Sequence, residues 1–165
     1  MKRFFSVAFF SIVVFILPAQ AEQAPATVTA SEAPAVAQKS LYERLGGQSA
    51  IAAVVDDFVP RTAANPAVNF TRQGQPRAWE ATPENIEKLK KHLVQFVSIA
   101  TGATDVTYEG RDMVAAHQGL NITDAEFDAL AADLAASCDK LGVPAKEKEE
   151  FLAIAGSTRG SIVQA

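Results

Sequence analysis

Arg111-Asp112-Met113-Val114-Ala115-Ala116-His117-Gln118-Gly119-Leu120-Asn121-Ile122-Thr123-Asp124-Ala125-Glu126-Phe127 is the stretch on which the reading of this chain turns. Met113 and His117 stand four residues apart, which puts them on one face of a short helical turn. Gly119 and Asn121 interrupt that turn, and Thr123 with Glu126 has the spacing of a capping box that opens a new helix. His92 and His117 are the chain's 2 histidines, so any site that needs a neutral nitrogen donor must draw on them.

Helical periodicity extends in both directions from this stretch. Phe127, Leu130, Ala131, Leu134, Cys138 and Leu141 form one apolar face that stops at Gly142. Pro144 opens a last helix with Phe151, Leu152, Ala155 and Ile162, whose final turns Gly156 and Gly160 weaken. Upstream, Thr82-Pro83-Glu84 has the N-cap, first-turn proline and acid of a helix start. That helix carries Ile86, Leu89, Leu93, Phe96, Val97 and Ala100 on one side and ends at Gly102. Ile51, Val54, Val55, Phe58, Val59 and Thr62 mark a further amphipathic helix, ending near Asn65-Pro66, with Asp56, Asp57 and Arg61 left for solvent. Pro60 is expected to kink it or loosen its last turn. Ser40 and Glu43 cap a short opening helix that Gly46-Gly47 ends. Ala67 to Ala81 lacks periodicity and reads as a long loop anchored by Phe70 and Trp79. The chain has no strand signal of comparable length and no internal repeat, so the fold class is all-α.

The 165 residues are one domain's worth, and a 48% hydrophobic content suffices for a core. Residues 1–21 read as a signal peptide, with Lys2 and Arg3 before the apolar run Phe4 to Leu17 and small residues at Ala19-Gln20-Ala21. That run falls short of the roughly 20 residues of a membrane span, so the expected product is exported, periplasmic and without a stable span; retention as an anchor is the alternative. Residues 22–39, rich in Ala, Pro, Thr and Ser, read as a flexible linker, which leaves 40–165 as the folded domain. The net charge of −4 falls further when Lys2 and Arg3 leave, and offers no footprint for nucleic acid. Cys138, the 1 cysteine, reads as a buried small hydrophobe, with a disulfide-linked dimer as the alternative.

A histidine on a short helix, followed by a glycine break and facing apolar side chains, suits the proximal side of a haem iron. It suits equally a structural histidine bonded to a neighbour, which is the commoner case. His92, one turn beyond Leu89 on a separate helix, could approach the same metal from the opposite side, or belong to the solvated run Lys90-Lys91-His92. Two histidines without Cys or clustered Asp/Glu partners fall short of a zinc site.

Four separated blocks resemble the group 1 truncated haemoglobins, over Ser40 to Val163. These are Leu41-Tyr42-Glu43-Arg44-Leu45-Gly46-Gly47, Ala53-Val54-Val55-Asp56-Asp57-Phe58, Tyr108-Glu109-Gly110-Arg111-Asp112-Met113 and His117-Gln118-Gly119-Leu120-Asn121-Ile122-Thr123. The resemblance implies a shortened globin fold, two helix pairs sandwiching haem b, with His117 as proximal ligand. It implies Phe70 against the porphyrin, and Tyr108 and Arg111 either at a propionate or in a structural role. Phe58, Val59, Leu89, Leu93, Phe96 and Val97 would line the pocket, together with Met113, Leu120, Ile122 and Phe127.

Where the family commonly has a distal tyrosine and glutamine, this chain has Val59 and Leu93, and Leu89 is apolar too. His92 is left as the distal donor or second iron ligand. A polarised donor to a gas ligand contributes ~1.5 to 3 kcal/mol, so its loss should speed ligand release. The reading that follows is reversible binding of a diatomic gas (oxygen, nitric oxide or carbon monoxide), as in oxygen transport, with an unidentified reductase as partner and the oligomeric state unspecified. Its rivals are a nitric oxide dioxygenase or peroxidase-like enzyme, a bis-histidine electron-transfer protein, and a haem-free interaction domain.

Overall fold

The computed structural model describes residues 38–164, so the expected leader and nearly all of the expected linker lie outside it. The described residues form helices α1 (Leu41–Leu45), α2 (Gly47–Ala64), α3 (Pro83–Ala100), α4 (Met113–His117), α5 (Asp124–Lys140), α6 (Ala145–Ser157) and α7 (Arg159–Ile162). Between Ile122 and Val163 runs an isolated parallel bridge rather than a strand pair. None of these helices is long and apolar enough to cross a membrane.

Local chemistry accounts for the helix starts. The Ser40 hydroxyl accepts from the Glu43 amide while the Glu43 carboxylate accepts from the Ser40 amide, so two end donors are satisfied reciprocally. Thr123 and Glu126 repeat the device at α5, and Thr82 accepts from the Asn85 amide at α3. Gly46, with φ of 102°, ends α1 and begins α2 in one residue.

The core gathers Leu41, Ile51, Val54, Val55, Phe58, Val59, Leu134, Cys138 and Phe151. α2 packs on α3, α5 packs on α6, and α2 lies against α5, so two helix pairs meet through those two members. Ion pairs reinforce the seams, from Arg44 to Glu147 and Glu150 between α1 and α6, and from Lys140 to Asp57 between α5 and α2.

α2 continues through Pro60 and ends at Ala64, beside the expected end at Asn65-Pro66. Pro60 lies on the exposed side, where solvent can reach the carbonyl of exposed Asp56 that loses its intrahelical partner. Several expectations need correction. Asp57 is not left to solvent; its side chain is 14% exposed and pairs with both Arg61 and Lys140. Leu141 is 43% exposed because it is the C-cap of α5, where the chain has left the helical register of the face it would continue. Ala100 is likewise exposed, at the last position of α3. The weakening expected from Gly156 and Gly160 takes the form of a break at Thr158, between α6 and α7.

Candidate functional site

Asp112 starts α4 by accepting from the Ala115 amide at 2.9 Å, and His117 ends it. His117 Nδ1 lies 2.8 Å from the Met113 carbonyl. A carbonyl only accepts, so Nδ1 carries the proton and Nε2 keeps its lone pair. Burial pushes the imidazole pKa below its ordinary value; the Met113 bond opposes this, and the charges of Arg111 and Arg77 add to it. The ring is thereby held neutral and available as a ligand.

The chain beyond His117 is fastened on two sides. From the loop after α2, Arg72 donates to the carbonyls of Leu120 and Asn121, both at 2.9 Å. Arg77 donates to the Gln118 carbonyl, and the Asn121 amide group meets Gln75 at 3.2 Å. From the C-terminal end, Gln164 accepts from the Gly119 amide at 2.9 Å, and its own amide donates to the Ile122 carbonyl at 2.9 Å. Arg72 also pairs with Glu126 at 2.9 Å. Burial pushes the Glu126 carboxyl up, but the Thr123 amide and Arg72 more than offset this and leave it below its ordinary pKa.

Tyr108 connects the two histidine-bearing segments. Its ring meets those of His92 and Phe96 on α3 edge-on, with centroids 6.0 and 6.1 Å away. Its hydroxyl donates to the Arg111 carbonyl at 2.9 Å, two residues before α4. Gly110 permits this turn, since a Cβ there would collide with the Tyr108 ring and hydroxyl. Gln95 and Lys91 of α3 add bonds to the amide and carboxylate of Glu109.

Of the two side chains expected near a propionate, Tyr108 therefore spends its hydroxyl proton on the chain itself. The exposed Arg111 guanidinium has no carboxylate partner among the described residues. Leu89, Leu93, Phe96, Val97, Phe70, Met113, Leu120 and Ile122 are all half-buried. Phe58, Val59 and Phe127 are instead fully buried, the first two in the core and the third beneath the Arg159 guanidinium, 4.5 Å from its ring centre. Phe70 stacks edge-on with Trp79 at 5.2 Å. His92 is half-buried and makes no hydrogen bond to protein among the described residues. Cavities of ≈ 210 Å³, between α1, α2 and the α5–α6 turn, and ≈ 230 Å³, beside Phe70, contain neither histidine.

Sequence reasoning missed Arg72, Gln75, Arg77 and Gln164. Glu126 carried a signal as a capping residue, but its partner lies 54 positions upstream in a stretch without periodicity. The donor set suits an iron porphyrin. One neutral imidazole with a directed lone pair, apolar side chains left half-covered on α3 and α4, and an unpaired arginine are what a flat apolar ring with charged edges would meet. No three His, Cys, Asp or Glu side chains converge to hold a metal among the described residues, so a cage made from protein alone is not formed there.

An all-helical sandwich of two pairs, with one histidine at the end of a short helix, defines a protein of the globin class in its shortened form. Residues 40–164 match the family model described as bacterial-like globin. The chain is 32% identical over 122 residues to the group 1 truncated hemoglobin GlbN of a Synechocystis strain, covering 72% of this chain and 90% of that one. It is 32% identical to GlbN of a Nostoc strain, covering 75% and 97%. Among solved structures it resembles the truncated hemoglobin of Tetrahymena pyriformis in the Fe(III) form, with a TM-score of 0.65, 26% identity, and coverage of 77% of this chain and 100% of that one. It also resembles the 2/2 hemoglobin of a Synechococcus strain, solved in the cyanomet state with covalently attached heme, with a TM-score of 0.63, 32% identity, and coverage of 76% and 98%. The chain belongs to the bacterial-like globin family, with the group 1 truncated haemoglobins. Membership makes haem iron the cofactor of this protein.

Proposed function

We propose that this protein binds a diatomic gas reversibly at haem b, with His117 Nε2 as the proximal iron ligand. The observation that carries the reading is the bond from His117 Nδ1 to the Met113 carbonyl, which assigns the tautomer and leaves Nε2 as the donor. Haem iron supplies, when bound, an open coordination position for a small neutral ligand. The chain supplies the imidazole, half-buried apolar walls from Leu89, Leu93, Phe96 and Val97, and Arg111 as a cation for a carboxylate edge.

His92 is the distal donor or second axial ligand in this reading. Its support is the absence of any competing protein hydrogen bond among the described residues and its place beside Tyr108, which leads into α4. Leu89 and Leu93 add no polar group to that side, which favours binding over nitric oxide dioxygenase or peroxidase chemistry, where donors must polarise the reacting ligand. A bis-histidine electron carrier is the rival that the same unbonded His92 supports. We further propose export, on the strength of Lys2-Arg3 followed by the apolar run Phe4 to Leu17, and a separate reductase to keep the iron ferrous; the intact mass of secreted material tests the first.

Absorption spectra of the haem-loaded protein decide the central reading. A Soret band is expected that shifts and weakens in His117→Ala; no band, or one that this substitution leaves unchanged, would end the proposal. In His92→Ala, a change from six- to five-coordinate iron is expected where His92 is the second ligand, while an unchanged spectrum would remove it as an iron ligand. Rapid and complete carbon monoxide binding by the ferrous wild type would sink the electron-transfer rival.

A further inference from the structure

We infer that Arg72 is a positioning residue for His117, a buried guanidinium whose hydrogen bonds to the turn after α4 set how the imidazole presents Nε2. The inference rests on the haem reading only for what Nε2 binds.

The geometry is specific to an arginine. Arg72 has a side chain 5% exposed, and its Nε and one terminal nitrogen reach two successive carbonyls, Leu120 and Asn121, while the other terminal nitrogen reaches Glu126. A rigid planar fork can meet two backbone oxygens and a carboxylate at once; an ammonium, as a point charge on a flexible stem, cannot hold all three. The path to the ligand is short. The Leu120 amide donates to the His117 carbonyl at 3.0 Å, so the residue Arg72 grips is itself bonded to the histidine.

Both partners in this contact have unusual backbones. Arg72 has φ of 55° and Asn121 φ of 50°, left-handed conformations that L side chains adopt only when their surroundings hold them. Arg72 is held there by its amide bonding to the Asn69 carbonyl at 2.9 Å, inside a loop that Asn69 closes through its side chain onto the Gln73 amide. Glu126 completes the device, since one carboxylate both caps α5 and balances the buried charge. The turn carrying His117 is thus referenced to the start of α5 and to the loop after α2, and Arg72 is where these meet.

The test uses the full chain and two readouts, with Arg72→Lys and Arg72→Met compared against Arg44→Met, which removes two ion pairs between α1 and α6, neither of them to α4 or the turn after it. In the ferrous haem-loaded protein carrying His92→Ala, resonance Raman reads the iron–histidine stretch. In haem-free protein, nitrogen-15 NMR reads the His117 tautomer. The expected result is a shifted and broadened stretch and a mixed tautomer in both Arg72 variants, neither in Arg44→Met, and haem loss faster by roughly ten- to a hundredfold in the Arg72 variants. An iron–histidine band and tautomer equal to those of the parent, or equally altered by Arg44→Met, would overturn the inference. Should the parent give no iron–histidine band, the haem reading falls, and the tautomer alone still decides the clamp.

Discussion

Buried and half-buried side chains here differ in what they do with their protons. The Cys138 thiol is 0% exposed, and burial, helped by the charge of Asp139, pushes its pKa up to about 11. The native thiol should therefore resist a disulfide reagent at pH 8 and react only as the protein unfolds. A rapid stoichiometric reaction would restore the disulfide-linked dimer. Asp57 behaves oppositely, because Lys140, then Arg61 and Ser137, hold its carboxyl well below the usual carboxylate range. A depressed folded pKa means that the unfolded state binds the proton first as pH falls. The stabilisation is thus fully present above the unfolded value of about 3.9 and is lost on descending from there toward the folded pKa. Urea midpoints measured from pH 5 to pH 2 should fall less steeply in Asp57→Asn than in wild type, and parallel profiles would refute this. Neither behaviour followed from composition. Cys138 read correctly as buried because its helical position is apolar, whereas Asp57 read as solvated because Lys140, which joins Arg61 in covering it, comes from another helix.

Helix boundaries were legible wherever a local motif sets them, at Ser40, Thr82 and Thr123, because a cap needs only residues three apart. They were less legible at Thr158, where no side-chain cap starts α7. Gly102 shows how local motif and packing work together at the end of α3: φ is 110°, and an added Cβ would lie 2.9 Å from that of Ser40, at the start of α1. The neighbouring Thr101 carbonyl accepts from the Tyr42 amide at 2.8 Å, so the close approach of these two ends cannot be relaxed without breaking a bond. Gly142, with φ of 70°, has nothing within 4 Å of the same added atom. Alanine at Gly142 should cost only the left-handed strain, ~1 to 2 kcal/mol, and at Gly102 clearly more; equal losses in chemical denaturation would contradict the steric argument. Removing the cap in Ser40→Ala should cost about 1 kcal/mol by the same measurement.

Over the described domain, α2 and α5 carry most of the packed core while much of α3 and of α4 leaves apolar side chains half-covered or, at Val114, exposed. A ligand that binds this folded arrangement and not the unfolded chain must stabilise it, by about 2.7 kcal/mol at a hundred times its dissociation constant. Adding haem should accordingly raise the thermal midpoint of the wild type, and much less that of His117→Ala; equal shifts would place the binding elsewhere. The sequence by itself determined the helices and the apolar faces of α2 and most of α5, since periodicity, caps and glycine breaks act within a few residues of chain. The tertiary structure alone decided which nitrogen of His117 is free and what steadies it. Arg72, Gln75, Arg77 and Gln164 bond to the turn that follows it, Gln118 to Asn121, from more than forty positions away, and contacts closed over such distances leave no pattern in a linear order of residues.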